Sequence, residues 1–315
     1  MYINAVGYYI PEKRISNDYF TDINGLDAQW IYQRTGIKTR SRANDKETID
    51  YMCTEAVLGA LPQLPYNETD VDLIIFASYT PSDTVGTTAH VIQREFKMEK
   101  AKAFHISSAC SSAINGMEII QSFLKANMSK KALLICAERN STYSDDADSI
   151  AGHLWGDAAT AYFFSFERYS SDELEIVDIT SQGLAHIGQG PKAVNLEPNG
   201  AGLRMPYGRD VFQRACIYLV QNTEDIITKN GYTISDLSYF IGHQANKRII
   251  NHVVKELGIP QNKTMNNIEE LGNTGSTSAL LVLAQNYDTF KENDLICISV
   301  FGGGYSAGTC LLKKS

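Results

Sequence analysis

Three polar side chains, far apart in the chain, stand in local settings that suit nucleophilic chemistry. Cys110 lies in Ile106-Ser107-Ser108-Ala109-Cys110-Ser111-Ser112. An apolar run over residues 101–106 leads into it, and Ala113, Met117, Ile120 and Leu124 follow at helical spacing. The thiol therefore sits where a strand turns into a helix. The unpaired N–H groups and partial positive charge of a helix N-terminus favour thiolate over thiol and lower the pKa of a cysteine placed there. A free cysteine also serves as a small buried apolar residue, so Cys110 alone leaves both roles open. His243, in Ile241-Gly242-His243-Gln244-Ala245-Asn246, stands just beyond another apolar strand. Asn273, in Leu271-Gly272-Asn273-Thr274-Gly275, occupies a glycine-rich turn entering a helix. Singly, the histidine reads as a satisfied core residue and the asparagine as a turn or helix-entry residue. Converging on one cavity, the three would make a nucleophile faced by two polar partners.

For these residues to meet, the elements carrying them must fold toward one another. Residues 1–9, 71–78, 101–106 and 131–138 read as strands, 47–61 as a helix, and 155–164 as a turn and strand. Continuous apolar strands alternating with helices indicate a parallel or mixed sheet covered on both faces. The second half repeats the order. Residues 236–241 stand for 71–78, and Thr277-Ser278-Ala279-Leu280-Leu281 echoes Ser111-Ser112-Ala113-Ile114. Leu295-Ile296-Cys297-Ile298 echoes Leu134-Ile135-Cys136-Ala137, and Gly308-Thr309-Cys310-Leu311-Leu312 echoes Ala159-Thr160-Ala161-Tyr162-Phe163. Echoes in one order predict an internal duplication. The expected fold is α/β, with two βαβα halves: residues 1–168 carrying Cys110, and 169–315 carrying His243 and Asn273. In that scheme Asn273 answers Cys110, His243 answers Tyr79-Thr80, and a pseudo-twofold brings the turns together.

Composition excludes several function classes. With 43% hydrophobic and 20% charged residues, the 315-residue chain reads as an ordinary soluble globular protein. No basic stretch followed by an apolar one opens it, and no apolar run reaches the roughly 18 residues of a membrane span, so a cytoplasmic protein without membrane association is expected. Six scattered cysteines with no C-x-x-C pair point to neither disulfides nor a zinc site. A net charge of −8 argues against general nucleic-acid binding. Within this acidic chain Trp30, Arg34, Lys38 and Arg40 form a basic, aromatic-bearing corner suited to a phosphorylated ligand. Gly302, Gly304 and Ala307 fit a dinucleotide-loop pattern, but too little chain follows for the helix that pattern needs. These glycines instead permit close backbone approach with an N–H aimed into the site.

Taken together, Ser-Ala-Cys110-Ser-Ser, His243-Gln244-Ala245-Asn246, Gly272-Asn273-Thr274, Phe301-Gly302-Gly303-Gly304 and Trp30-Ile31 with Arg34-Thr35-Gly36-Ile37 resemble β-ketoacyl-acyl-carrier-protein synthase III of the thiolase superfamily. The resemblance implies a thiolase fold in five layers, αβαβα, and a homodimer. It implies that Cys110 is acylated by an acyl-CoA. Malonyl-acyl carrier protein then loses CO₂, and His243 and Asn273 stabilise the enolate. Backbone N–H groups of Cys110 and Gly303 hold the oxyanion, and no metal or redox cofactor is required. By the same resemblance Trp30, Arg34 and Thr35 contact coenzyme A, Asn246 and Phe301 line the substrate channel with Arg209 beside it, and Arg214, Lys247 and Arg248 dock the carrier protein.

Departures from the family bear on the substrate. Val85 stands where a bulky aromatic often closes the acyl pocket, which predicts a primer longer or more branched than acetyl. Arg209 replaces a frequent Asn, Trp155 a frequent Phe, and His105 a frequent Asp. Two other readings stay open: a related enzyme of a specialised pathway that joins, cyclises or transfers acyl groups, and, remotely, a cysteine hydrolase, although the papain-type motif is absent.

Overall fold

Nine apolar runs form one mixed sheet in the computed structural model, which describes residues 1–314. The strands are β1 (Tyr2–Tyr9), β2 (Leu73–Ala77), β3 (Lys102–Ile106), β4 (Lys131–Arg139) and β5 (Asp157–Ser165). They continue with β6 (Leu174–Gly183), β7 (Tyr239–Gly242), β8 (Leu295–Gly302) and β9 (Ser306–Lys314). Their order across the sheet is β7-β8-β9-β6-β1-β5-β4-β2-β3. The order mirrors itself about the β1–β6 junction, where Tyr2 and Ile3 pair antiparallel with Glu175 and Leu174. On one side β2 and β4 are parallel and β5 and β1 return antiparallel; on the other β7 and β8 are parallel and β9 and β6 return. Only β3 lacks a full counterpart, and in its place a single parallel bridge joins Phe240 to Thr264.

Seven helices fill the layers: α1 (Ala28–Thr35), α2 (Ile49–Ala60), α3 (Thr88–Glu95), α4 (Ser112–Lys125), α5 (Gly208–Lys229), α6 (Lys247–Glu256) and α7 (Ser278–Gln285). The α4 helix packs on β2 and β4 and also on β6 and β9, and α7 packs on β1 and β5 and also on β7 and β8. These two form the central layer. The α2 and α3 helices cover the outer face of the first strands, and α5, with α6 against it, covers the outer face of the last. Three apolar clusters fill the spaces between, giving the expected αβαβα sequence of layers. On α4, Ala113, Ile114, Met117, Ile120 and Leu124 are all buried, and each large aliphatic side chain contributes about 1.5–3 kcal/mol by leaving water. That burial fixes the rotation of α4, and so the direction its first turn faces. No described helix is long and apolar enough to cross a membrane.

Candidate active site

Beyond Ile106 the chain reverses at Ala109, whose φ of 52° is in the left-handed region and costs a non-glycine residue on the order of 1–2 kcal/mol. Hydroxyls hold the turn. Ser112 Oγ accepts from Ser108 N at 2.8 Å and donates to Ala109 O at 2.6 Å. Ser306, just past the glycine run, donates to the carbonyls of Ser108 and Gly303, both at 3.0 Å, and so ties the turn to that run. A Cβ on Gly302 would stand 2.7 Å from Cys110 N and 2.9 Å from Cys110 Cβ, so only glycine permits this approach. The main-chain N–H groups of Gly303 and of Cys110 itself donate toward the buried sulfur.

These donors do not lower the thiol pKa below its ordinary value, and the sequence expectation is corrected. Burial, reinforced by the negative charge of Glu138, pushes the Cys110 thiol up to about 12, and the two N–H groups only oppose that rise. At neutral pH Cys110 is therefore a thiol.

His243 follows β7 with its N–H on Ser299 O at 2.9 Å. Its Nδ1 lies 2.8 Å from Ser278 Oγ at the start of α7, and that hydroxyl also accepts from Gln244 N at 3.4 Å. Ser278 Oγ meets no other acceptor among the described residues, so pairing its proton with Nδ1 is the arrangement that satisfies it, and that arrangement corresponds to the tautomer with its proton on Nε2. Burial holds the imidazole down at about 4, so it is neutral at physiological pH. Asn273 is fixed by its backbone: its N–H donates to Leu154 O at 2.8 Å and its carbonyl accepts from Gly156 N at 2.9 Å. Its Oδ1 accepts from Gly275 N at 3.0 Å. The Nδ2 group has no partner among the described residues.

Cys110, His243 and Asn273 line one cavity of about 90 Å³, together with Phe301, Gly303 and Asn246. A second cavity of about 110 Å³ is also lined by Cys110 and is bounded by Tyr79, Leu196 and Leu203. Trp155 and Val194 stand between, lining both. The arrangement presents one sulfur to two chambers, and only one chamber holds the imidazole and the amide.

Other expected residues divide. Asn246 caps α6, accepting from Arg248 N at 2.8 Å, and its Nδ2 donates to Arg34 O at 3.1 Å, which joins the cavity rim to α1. Trp30 is 39% exposed with the Arg34 guanidinium 5.4 Å from its ring, a surface platform outside both cavities. Phe301 is buried against Tyr218 and Tyr305. Arg248 is exposed at the mouth, over Phe212.

Several expectations are corrected. Thr35 is buried, and its hydroxyl donates to Ile31 O at 2.7 Å and accepts from Ile37 N at 3.0 Å, so it closes α1 and offers no ligand contact through its side chain. Arg209 is exposed and lines neither cavity: Gly208, Val211, Phe212 and Ala215, at spacings of three and four, form the cavity face of α5, and Arg209 lies off that stripe. Val85 is 85% exposed and also outside both cavities, because Asp83 Oδ1 accepts from Val85 N and Gly86 N and turns the loop outward. Lys247 and Arg214 carry partners, Glu269 and Asp210 respectively. Sequence reasoning passed over Ser278, which only a repeat-based comparison with Ser112 would flag, and Glu138, whose carboxylate ends an otherwise apolar run.

Two family models match the chain: 3-Oxoacyl-[acyl-carrier-protein (ACP)] synthase III over residues 104–183, and the C-terminal model of the same description over residues 227–314. The chain is 33% identical, over 99% of its length and 98% of the relative's, to β-ketoacyl-[acyl-carrier-protein] synthase III of Aquifex aeolicus (strain VF5). It is similar to the crystal structure of 3-oxoacyl-[acyl-carrier-protein] synthase III from Aquifex aeolicus VF5, with a TM-score of 0.92, 32% identity and 99% of both chains covered. The crystal structure of the priming β-ketosynthase from the R1128 polyketide biosynthetic pathway is 26% identical, with a TM-score of 0.89 over 99% of this chain and 95% of that one.

Proposed function

We infer the reaction from the family, since the chain belongs to the β-ketoacyl-acyl-carrier-protein synthase III family of thiolase-fold condensing enzymes. It joins an acyl primer to malonyl-acyl carrier protein, the condensation that initiates fatty acid synthesis. Membership sets aside the cysteine hydrolase. The residue roles are our own reading. The Cys110 sulfur attacks the primer thioester carbonyl, and its proton leaves with the departing coenzyme A thiol. Backbone N–H groups of Cys110 and Gly303 hold the tetrahedral oxyanion. Malonyl-acyl carrier protein then loses CO₂, the electron pair passes into an enolate, and His243 Nε2–H and Asn273 Nδ2–H bond its oxygen. The enolate carbon attacks the acyl-cysteine, the C–S bond breaks, and Cys110 departs as a thiolate that takes up a proton from solvent. No metal or redox cofactor enters these steps. What carries the reading is the shared cavity of Cys110, His243 and Asn273, with a second chamber also lined by Cys110.

That second chamber sets the primer. By the yardstick that a cavity of about 150 Å³ holds a benzene ring, a chamber of about 110 Å³ suits an acyl chain of roughly four carbons. We expect condensation with malonyl-acyl carrier protein, measured across straight and branched acyl-CoAs, to peak at that length. Clear preference for acetyl-CoA would overturn the assignment.

We further propose that Trp30 and Arg34 receive coenzyme A, and that Arg248 at the mouth leads carrier-protein docking, with Arg214 and Lys247 already committed to acidic partners. We read residues 1–168 and 169–315 as two thiolase-like halves, a division supported by the mirrored strand order. A cytoplasmic homodimer fits as well. The β3 strand is an unpaired edge flanked by half-buried Phe104, Ile106, Ile119 and Phe123, with exposed Val85 on a loop that touches His105. Such an edge is normally covered, and a second copy would cover it. The R1128 similarity favours one other reading, in which the same condensation primes a specialised pathway.

A further inference from the structure

Glu138 takes no part in the steps above, yet it is fully buried near the end of β4 and forms no ion pair among the described residues. Burial pushes its carboxyl up to about 7, and the hydrogen bonds it accepts oppose that rise and replace its lost water. Here they come from two separate parts of the chain. Oε2 accepts from Ser78 Oγ at 3.2 Å, Thr80 N at 3.0 Å and Thr80 Oγ1 at 2.5 Å, all in the loop after β2. Oε1 accepts from Tyr79 N at 3.2 Å and, across the molecule, from Ser276 Oγ at 2.5 Å.

Ser276 belongs to the turn that carries Asn273. The residue between them in the bonding path is Gly275, whose N–H holds Asn273 Oδ1 at 3.0 Å and thereby aims Nδ2. Gly275 approaches so closely that a Cβ there would stand 2.9 Å from Glu138 Cγ and 2.3 Å from Tyr79 Oη. Asn140, two residues beyond Glu138, grips the same segment: its Nδ2 donates to Asn273 O at 3.3 Å, and its Oδ1 accepts from Tyr79 Oη at 2.8 Å. The Cys110 turn is anchored elsewhere, through Ser306 to the glycine run.

We propose that Glu138 is a positioning residue for Asn273: through Ser276 it clamps the Asn273 turn against the Ser78–Thr80 loop, so that loss of the clamp slows decarboxylation and condensation and does not slow acylation of Cys110. The proposal rests on the condensing reaction assigned above. The test separates the two half-reactions of the full-length enzyme. Acylation by an acyl-CoA is followed by intact-protein mass spectrometry, and discharge of the acyl-enzyme by malonyl-acyl carrier protein is timed afterwards. In S276A, discharge should slow about tenfold or more while acylation stays within about twofold of wild type, and S276T, which keeps the hydroxyl, should recover most of the rate. E138Q serves as the second variant, since an amide must turn its NH₂ toward donors on one side; discharge should slow likewise, while acylation is not slowed, because losing the Glu138 charge removes one cause of the raised Cys110 thiol. Equal slowing of both half-reactions, or unchanged discharge in both S276A and E138Q, overturns the proposal. Failure of the wild-type acyl-enzyme to discharge into a β-ketoacyl product would instead sink the condensing assignment, and this inference with it.

Discussion

The turns that carry Cys110 and Asn273 occupy equivalent places in the mirrored topology, each leading into a helix of the central layer, yet they are built differently. At Cys110 the chain strains through a left-handed alanine and exposes backbone N–H groups to the sulfur. At Asn273 the strain is absorbed by Gly272 and Gly275, and the side chain rather than the backbone faces the cavity. The first turn is fastened to the glycine run, the second to the end of β4. The difference teaches that one architectural position can supply either a nucleophile with its oxyanion donors or an amide donor for the other reactant. Which it supplies depends on what the turn is tied to.

The comparison breaks most visibly through the donors. N273A and H243A should each lower condensation by roughly 10²–10³ while leaving Cys110 open to acylation, as removal of one preorganised donor does elsewhere. Loss of acylation to the same extent would show that the two turns do not divide the labour. G302A places a methyl group against Cys110 and should cost about 1–3 kcal/mol of stability, read as a lowered melting temperature, with acylation and condensation falling together; an unchanged melting temperature would contradict the close approach.

The smallest effect concerns protonation. His243, ordinarily near 6.5, is held at about 4, so the folded state binds fewer protons than the unfolded chain between those values. Its contribution to stability is therefore present above the unfolded value and is lost as pH falls toward 4. The imidazole resonance of His243 should show no titration between about pH 5 and 8. A midpoint near 6.5 would refute a neutral donor locked by Ser278.

Much of this was legible in the chain. Apolar runs marked the strands at 2–9, 73–77, 102–106 and 131–139 to within a residue or two, because strands buried on both faces carry a continuous signal. Cys110, His243 and Asn273 stood out because each sits at an abrupt passage from apolar run to small residues. Side-chain direction was the part sequence matching could not supply. Arg209 and Phe212 share a helix but not a face; Thr35 spends its hydroxyl on the backbone; Val85 points away from its own chain's cavities. The Cys110 thiol was misjudged for a related reason, since a helix end is visible in sequence and the surrounding desolvation is not. Glu138 escaped notice because its five donors come from segments that meet only in the fold.

The most direct measurement is intact-protein mass spectrometry of the wild type beside C110A after exposure to a panel of acyl-CoAs, followed by a chase with malonyl-acyl carrier protein. The account requires a single acyl adduct of intermediate length on the wild type only, discharged as a β-ketoacyl-carrier-protein product. An adduct that persists in C110A, or one released by the chase only as free acid, would contradict it.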